Sequence, residues 1–467
     1  MAMKFPILAA GCLALCVTSC STPNLRVNYN EAKVGTYTLP DPLTTQDGKT
    51  VTTTNEWTSV RRPEILNLYR EYIYGKSPEP NKMNVDVWDV DTNALDGTAI
   101  RKQVNLELTS QLSTNRVVLH VLMYTPMAAQ RAPTFLCLSF SGNYADVNDT
   151  NVAIWPVWDK KTDMAYMPNV TRSPVHNWVG RKNDVTKMWE FKRGTSHNWP
   201  VRKIIKDGYG IALVDYNDIE PDFADGTGWR FGVRSLYMKP GETNFANDAW
   251  GAISAWAWGA SRVMDYLQTD ENVDPDRVIM AGQSRLGKTA LWEGAQDQRF
   301  PIVIASCSGE MGASLSRRNY GETVTTMSKA FPYQFCHNFL AWSNNIPNMP
   351  VDSHMLVSLV APRPLYLNTG SLDRWSDPRG EWEAAIAAGP VYQLFGKQTV
   401  IANLPPGKAV LESAVLESFP PPPLDKPVFH DIGYQTHTGK HDILPEDWDR
   451  FLDFCDLHFY GKTPREY

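Results

Sequence analysis

Five short, continuously apolar runs set the strongest limit on how this chain can fold: residues 133–140, 210–214, 278–281, 302–305 and 364–367. Runs of that length, bounded by turn residues, fit strands covered on both faces. Between them lie stretches with helical period, clearest over 250–267 and 288–296. Strands alternating with helices predict a mostly parallel sheet between helical layers. Upstream, residues 85–126 alternate apolar and polar side chains, as at 104–108 and 117–122, which predicts antiparallel strands ahead of that sheet. The expected class is α/β: a three-layer sandwich with a mostly parallel central sheet and antiparallel N-terminal strands.

The N-terminus carries a separate signal. Lys4 precedes an apolar run over 5–17, followed by small residues up to Cys20. A basic start, a run of about a dozen apolar residues and a small-residue end describe a secretory leader, too short for the ~20 residues of a membrane span. Val17-Thr18-Ser19-Cys20 resembles a bacterial lipobox, in which the cysteine is lipidated and becomes the first residue. The expected organisation is a signal peptide over 1–19, a tether and lead-in segment over 20–60, and one large α/β domain over 61–467. The chain is expected to be exported and held to a bacterial membrane, on the periplasmic side or the cell surface, through Cys20 alone.

Composition narrows the function. Lys plus Arg at 45 against Asp plus Glu at 51 gives a net charge of −6. Without basic runs, that balance offers nucleic acid no footprint. The 16 tryptophans suit a core, and also sugar-handling clefts whose flat rings stack on pyranose C–H faces. Outside the leader, Cys137, Cys307, Cys336 and Cys455 could form up to two disulfides in an exported chain. Cys137 and Cys307 sit in strand-like runs, which favours buried thiols there. No Cys-x-x-Cys or His-rich spacing calls for a metal, and no cofactor is expected. Residues 146–200, rich in Trp, Asn and Lys, read as an inserted loop wall over a site. Residues 402–427, with four prolines at 420–423, read as a second insertion.

The most informative segment is Arg277-Val-Ile-Met-Ala-Gly282-Gln-Ser284-Arg-Leu-Gly287-Lys288-Thr289. Residues 282–289 match a phosphate-binding loop, Gly-x-x-x-x-Gly-Lys-Thr. The same segment reads as a nucleophile elbow, a serine on a tight turn between strand and helix. The phosphate reading fits poorly with an exported chain and with four or more strands upstream. The elbow is imperfect too, since Gly-x-Ser-x-Gly needs glycine at 286 and the chain has Leu286 with Gly287 after it.

An elbow serine requires an acid and then a histidine further along the chain. The run 361–370 ends in Ser-Leu-Asp373-Arg-Trp375-Ser-Asp377, where a strand meets acids. The run 431–436 leads to His437-Thr-Gly-Lys-His441-Asp442 and then a helical stretch over 446–458. His441 is the expected base and His437 the alternative. Asp373 is the expected acid, with Asp377 and Glu310 as alternatives. The base activates a weakly nucleophilic hydroxyl, and the acid fixes the imidazole tautomer.

Gly282-Gln-Ser284-Arg285-Leu-Gly287-Lys288, Arg317-Arg318-Asn-Tyr-Gly-Glu322-Thr, Asp373-Arg-Trp375 and Gly-Lys-His441-Asp resemble the glucuronoyl esterases, the fifteenth carbohydrate esterase family, and most closely its bacterial branch. The resemblance covers roughly residues 60–460. It implies an α/β-hydrolase fold and cleavage of esters joining 4-O-methyl-glucuronic acid groups of xylan to lignin alcohols, or of simple alkyl glucuronates. It implies Ser284 as nucleophile, Arg285 at the oxyanion, and Lys288, Glu322 and Trp375 around the sugar. Fungal members carry their triad glutamate where this chain has Cys307, which passes the acid role to Asp373. Lys288 lies one helical turn from Ser284, on the same face. Two other readings remain open here: an acetyl-xylan or other sugar esterase, and a non-catalytic carbohydrate-binding lipoprotein.

Overall fold

The computed structural model describes residues 27–80, 82–155, 157–159, 164–166, 193–239, 241–405 and 407–467. The leader with Cys20, and much of the expected 146–200 insertion, lie outside the described residues. Eleven strands are described: β1 (Met83–Asn93), β2 (Ala99–Ser110), β3 (Ser113–Pro126), β4 (Ala132–Ser139), β5 (Val157–Asp159), β6 (Met164–Tyr166), β7 (Gly210–Asp215), β8 (Val273–Gln283), β9 (Ile302–Ser306), β10 (Leu365–Gly370) and β11 (Ile432–His437). Nine of them form one sheet in the order β1-β2-β3-β7-β4-β8-β9-β10-β11, while β5 and β6 pair antiparallel as a separate two-stranded sheet. β1, β2 and β3 run antiparallel, and β3 meets β7 antiparallel. From β7 to β11 every pairing is parallel.

The main helices are α1 (Arg62–Tyr72), α2 (Ala252–Leu267), α3 (Arg285–Gln296), α4 (Val324–Ala330), α5 (Ser353–Val360), α6 (Pro378–Leu394) and α7 (Pro445–Tyr460). Side chains alternate across a strand, and the two faces of the sheet meet two different cores. In β4, Leu136 and Leu138 join the core built with α1, α2, α3, α5 and α6. Phe135 and Cys137 point the other way, into the core closed by Trp448, Phe451 and Phe454 of α7. Burial on both faces explains why these strands read as unbroken apolar runs. The architecture is the expected three-layer α/β sandwich.

Two expectations change. The segment up to residue 60 was expected to end before the large α/β domain, but Leu39, Val51 and Trp57 are buried in its core. Thr53 and Glu56 form a capping box that starts a continuous helical stretch through 57–61 into α1, so a boundary at 60 falls inside a helix. Polar composition hid this because three large side chains are enough to dock the segment. The cysteines are also simpler than a disulfide framework: Cys137, Cys307, Cys336 and Cys455 are all free and buried. Among the described residues, no helix is long and apolar enough to cross a membrane.

Candidate active site

Parallel strands in register bring their C-terminal ends to one edge, and the loops leaving that edge build the site. Gln283 pairs with Ser306 across β8 and β9, and Gly370 pairs with His437 across β10 and β11. Ser284, Cys307, Asp373 and His441 all follow those strand ends within a few residues. They line one cavity of about 380 Å³ together with Arg285, Lys288, Glu322, Trp375 and the wall residues Met327, Phe331 and Gln334.

Ser284 sits between β8 and α3 at φ 57° and ψ −130°, a strained conformation for a side-chain-bearing residue. Its carbonyl accepts from the Gly287 and Lys288 N–H groups at 2.8 and 3.0 Å, which starts α3. Two glycines make the turn possible. A Cβ on Gly282 would lie 2.0 Å from the Leu286 carbonyl oxygen, and one on Gly287 would lie 2.8 Å from that of Ser306. Leu286 itself is fully buried, so the glycine missing at 286 is not one the turn needs. The Arg285 N–H lies in the first turn of α3, where amides have no intrahelical acceptor and can receive an oxyanion.

Hydrogen bonds between the β10 and β11 loops bring the acid to the base. Ser371 N–H donates to the His437 carbonyl at 2.9 Å, and Leu372 N–H to the Gly439 carbonyl at 2.7 Å. Asp373 then lies 2.7 Å from His441 Nδ1, with Ser376 Oγ 3.3 Å from the same nitrogen. Burial opposes the charge on Asp373, but its bonds to His441 and Ser376 outweigh that and hold its carboxyl below the usual range. The alternatives are otherwise engaged. Asp377 accepts from Arg318 Nη1 at 2.9 and 3.0 Å. Glu310 accepts from Ser316 Oγ. His437 is buried at the end of β11, 3.0 Å from Asp447 and 3.0 Å from the Lys440 carbonyl oxygen, and holds the turn that presents His441.

Arg285 was expected at the oxyanion, and its guanidinium does line the cavity. It is anchored there by Asp222, which also accepts from Tyr333 OH at 2.5 Å and Tyr216 OH at 2.8 Å. Burial disfavours the guanidinium charge, yet Asp222, together with Tyr216 and Tyr333, more than offsets it and raises the Arg285 pKa. The Arg285 ring-facing side lies 5.4 Å over Phe331. Across the cavity, Glu322 links the other two expected sugar-facing groups: it accepts from Lys288 Nζ at 3.1 Å and Trp375 Nε1 at 2.5 Å, and also from the Glu310 backbone N–H at 3.0 Å. Trp375 is therefore half-buried at the cavity with its ring fixed by its indole N–H, rather than lost in the core.

Asp222, Tyr333 and the Met327–Phe331 wall went unnoticed in the sequence, where nothing in their spacing ties them to Ser284. Cys307 lies at φ 47°, and its Sγ is within 4.8 Å of ligand atoms of Asp373 and His441. Burial and the Asp373 charge push its thiol well above the usual range, so it stays protonated beside a carboxylate and imidazole already bonded to each other.

A serine on a strained strand–helix turn, a histidine paired to a carboxylate and a mostly parallel sheet together define an α/β-hydrolase. A family model described as fungal glucuronyl esterase matches residues 243–396. Carbohydrate esterase MZ0003, from an unknown prokaryotic organism, is 37% identical over 93% of this chain and 92% of its own. The structure of a glucuronoyl esterase from Solibacter usitatus is 40% identical, with a TM-score of 0.79 over 92% of this chain and 100% of that one. A promiscuous CE15 esterase from a marine bacterial metagenome is 36% identical, with a TM-score of 0.76 over 93% and 100%. The chain belongs to carbohydrate esterase family fifteen, the glucuronoyl esterases, and is a carboxylic ester hydrolase.

Proposed function

We propose that this enzyme hydrolyses esters of glucuronic acid or its 4-O-methyl ether, such as those joining glucuronoxylan to lignin alcohols. The observation that carries the reading is the 2.7 Å Asp373–His441 pair opening onto a cavity shared by Ser284 and the Lys288–Glu322–Trp375 set. His441 takes the Ser284 hydroxyl proton as Oγ attacks the ester carbonyl. Asp373 stays ionised and stabilises the imidazolium. The oxyanion meets the Arg285 N–H and guanidinium, and a donor in that position is worth about 2.7–4 kcal/mol in the transition state. His441 returns the proton to the departing alcohol, then activates a water that clears the acyl group from Ser284. Lys288 and Trp375, fixed by Glu322, supply a hydroxyl contact and a ring face to the sugar acid.

The test is hydrolysis of benzyl glucuronate, benzyl galacturonate and acetylated xylan, with Ser284→Ala as control. Serine-dependent release from glucuronate with little acetate is the expected result. Acetate release alone moves the enzyme to the acetyl esterases, and no turnover on any substrate favours a binding protein. We also propose a lipid anchor at Cys20 after cleavage at 19, on the strength of the Val17–Cys20 pattern. Mass spectrometry of the mature N-terminus and loss of membrane partitioning in Cys20→Ala test it.

A further inference from the structure

Residues 331–335 are a partition with a cavity on each side. Phe331 and Gln334 line the catalytic cavity, whereas Pro332, Tyr333 and Phe335 line another of about 590 Å³. That volume falls within the roughly 300–1,000 Å³ of small-ligand sites. On its far side Trp229 and Phe245 meet edge to face with centroids 5.1 Å apart, both half-buried. The base is rigid: Trp250 is buried there, and Arg234 is locked by Glu220 and by the Trp250 carbonyl. Around the rings, the side chains of Asn244, Asn247 and His337 are exposed and hydrogen-bond to no other described residue.

We infer that this second cleft binds the β-1,4-linked xylose main chain that carries the esterified glucuronate, an inference that rests on the substrate reading above. Aromatic rings cover the C–H faces of a pyranose, and carboxamide and imidazole groups satisfy its equatorial hydroxyls. A rigid apolar base ringed by uncommitted donors and acceptors suits such a ligand. It suits an aromatic alcohol less, because that ligand would leave the two carboxamides without partners once water is excluded. Continuity supplies the occupant. A glucuronate whose carbonyl reaches Ser284 remains tied to its polymer, which must leave the catalytic cavity over one of its walls, and the 331–335 wall opens directly onto this cleft. The same wall carries Tyr333, whose hydroxyl donates to the Asp222 that anchors Arg285.

The experiment compares Trp229→Ala and Asn244→Ala with the parent full chain in three measurements. These are kcat/KM on benzyl glucuronate, kcat/KM on glucuronoxylan bearing the same benzyl ester, and calorimetric binding of unesterified xylohexaose. Asn244 is exposed and its side chain hydrogen-bonds to no other described residue, so its variant keeps the test alive if Trp229→Ala unfolds. The expected result is unchanged benzyl glucuronate turnover, a loss of about tenfold on the polymer in Trp229→Ala, and xylohexaose binding weakened by a similar factor. Trp229→Phe should restore part of both. Equal losses on the small and polymeric esters overturn the inference, as does unaltered xylohexaose affinity. A loss confined to small glucuronates of bulky aromatic alcohols also overturns it and assigns the cleft to the alcohol. Should the parent fail on benzyl glucuronate, the substrate reading falls, and the xylohexaose arm still decides the cleft.

Discussion

Replacing Asp222 with asparagine asks whether Arg285 works because it is held. The substitution keeps the bulk of a side chain that accepts from Arg285, from Tyr333 at 2.5 Å and from Tyr216 at 2.8 Å, but removes its charge. Breaking a buried ion pair costs about 3–5 kcal/mol when the remaining charge stays unpaired. Arg285 is 28% exposed to the cavity, so water recovers part of that, and a stability loss of about 1–2 kcal/mol is expected. The catalytic effect is separate. A fixed oxyanion donor is worth about 2.7–4 kcal/mol, so Arg285→Ala should lower kcat about 10²–10³-fold. An Arg285 that is present but unanchored should lose about half of that, a fall of roughly 10- to 30-fold in kcat with little change in KM. Steady-state kinetics on benzyl glucuronate, below the melting temperature of each variant, provides the measurement. If Asp222 acts through Arg285, the double variant is no slower than Arg285→Ala, to within about 0.5 kcal/mol. A kcat within twofold of the parent in Asp222→Asn, or losses that multiply in the double variant, refutes the reasoning.

Other outcomes follow from the same geometry. Asp373→Asn should lower kcat about 10⁴-fold by freeing the wrong imidazole tautomer, while Asp377→Asn, whose carboxylate faces Arg318, should chiefly lower the melting temperature. Burial raises the Asp146 carboxyl to about 6, so the folded form holds its proton above the unfolded range and stability falls as pH rises from about 4 to about 6. Asp146→Asn should therefore gain up to about 3 kcal/mol at pH 7.5 and nothing near pH 4, and equal melting shifts at both would sink this account. With all four described cysteines free and buried, a chain starting at Ser21 should show no reactive thiol when native and four after unfolding. A count of zero or two in denaturant would mean that disulfides exist.

How far the sequence reached depends on how local each feature is. The runs at 210–214, 278–281 and 302–305 became β7, β8 and β9 because strands buried on both faces leave an unbroken apolar signature. The elbow was legible because its chemistry is compressed into Gly282–Gly287, and one glycine spacing off the usual pattern misled only about which position the turn needs. The choice between His437 and His441 was harder: the two are four residues apart, and only the end of β11 separates a buried turn-holder from a cavity residue. The lead-in segment was misjudged at its boundary because Leu39, Val51 and Trp57 are sparse in a polar stretch, and their burial depends on a surface formed by distant helices.

By itself the sequence determined the α/β sandwich, the Ser–acid–His order and the family, since each is carried by residue type and order along the chain. Tertiary structure alone decided that Asp373 rather than Asp377 or Glu310 faces His441, that Asp222 anchors Arg285, and that Glu322 ties Lys288 to Trp375. Those pairings join side chains 34 to 68 residues apart. Their energies depend on distance and burial in space, and strand register at the C-terminal edge of the sheet sets both.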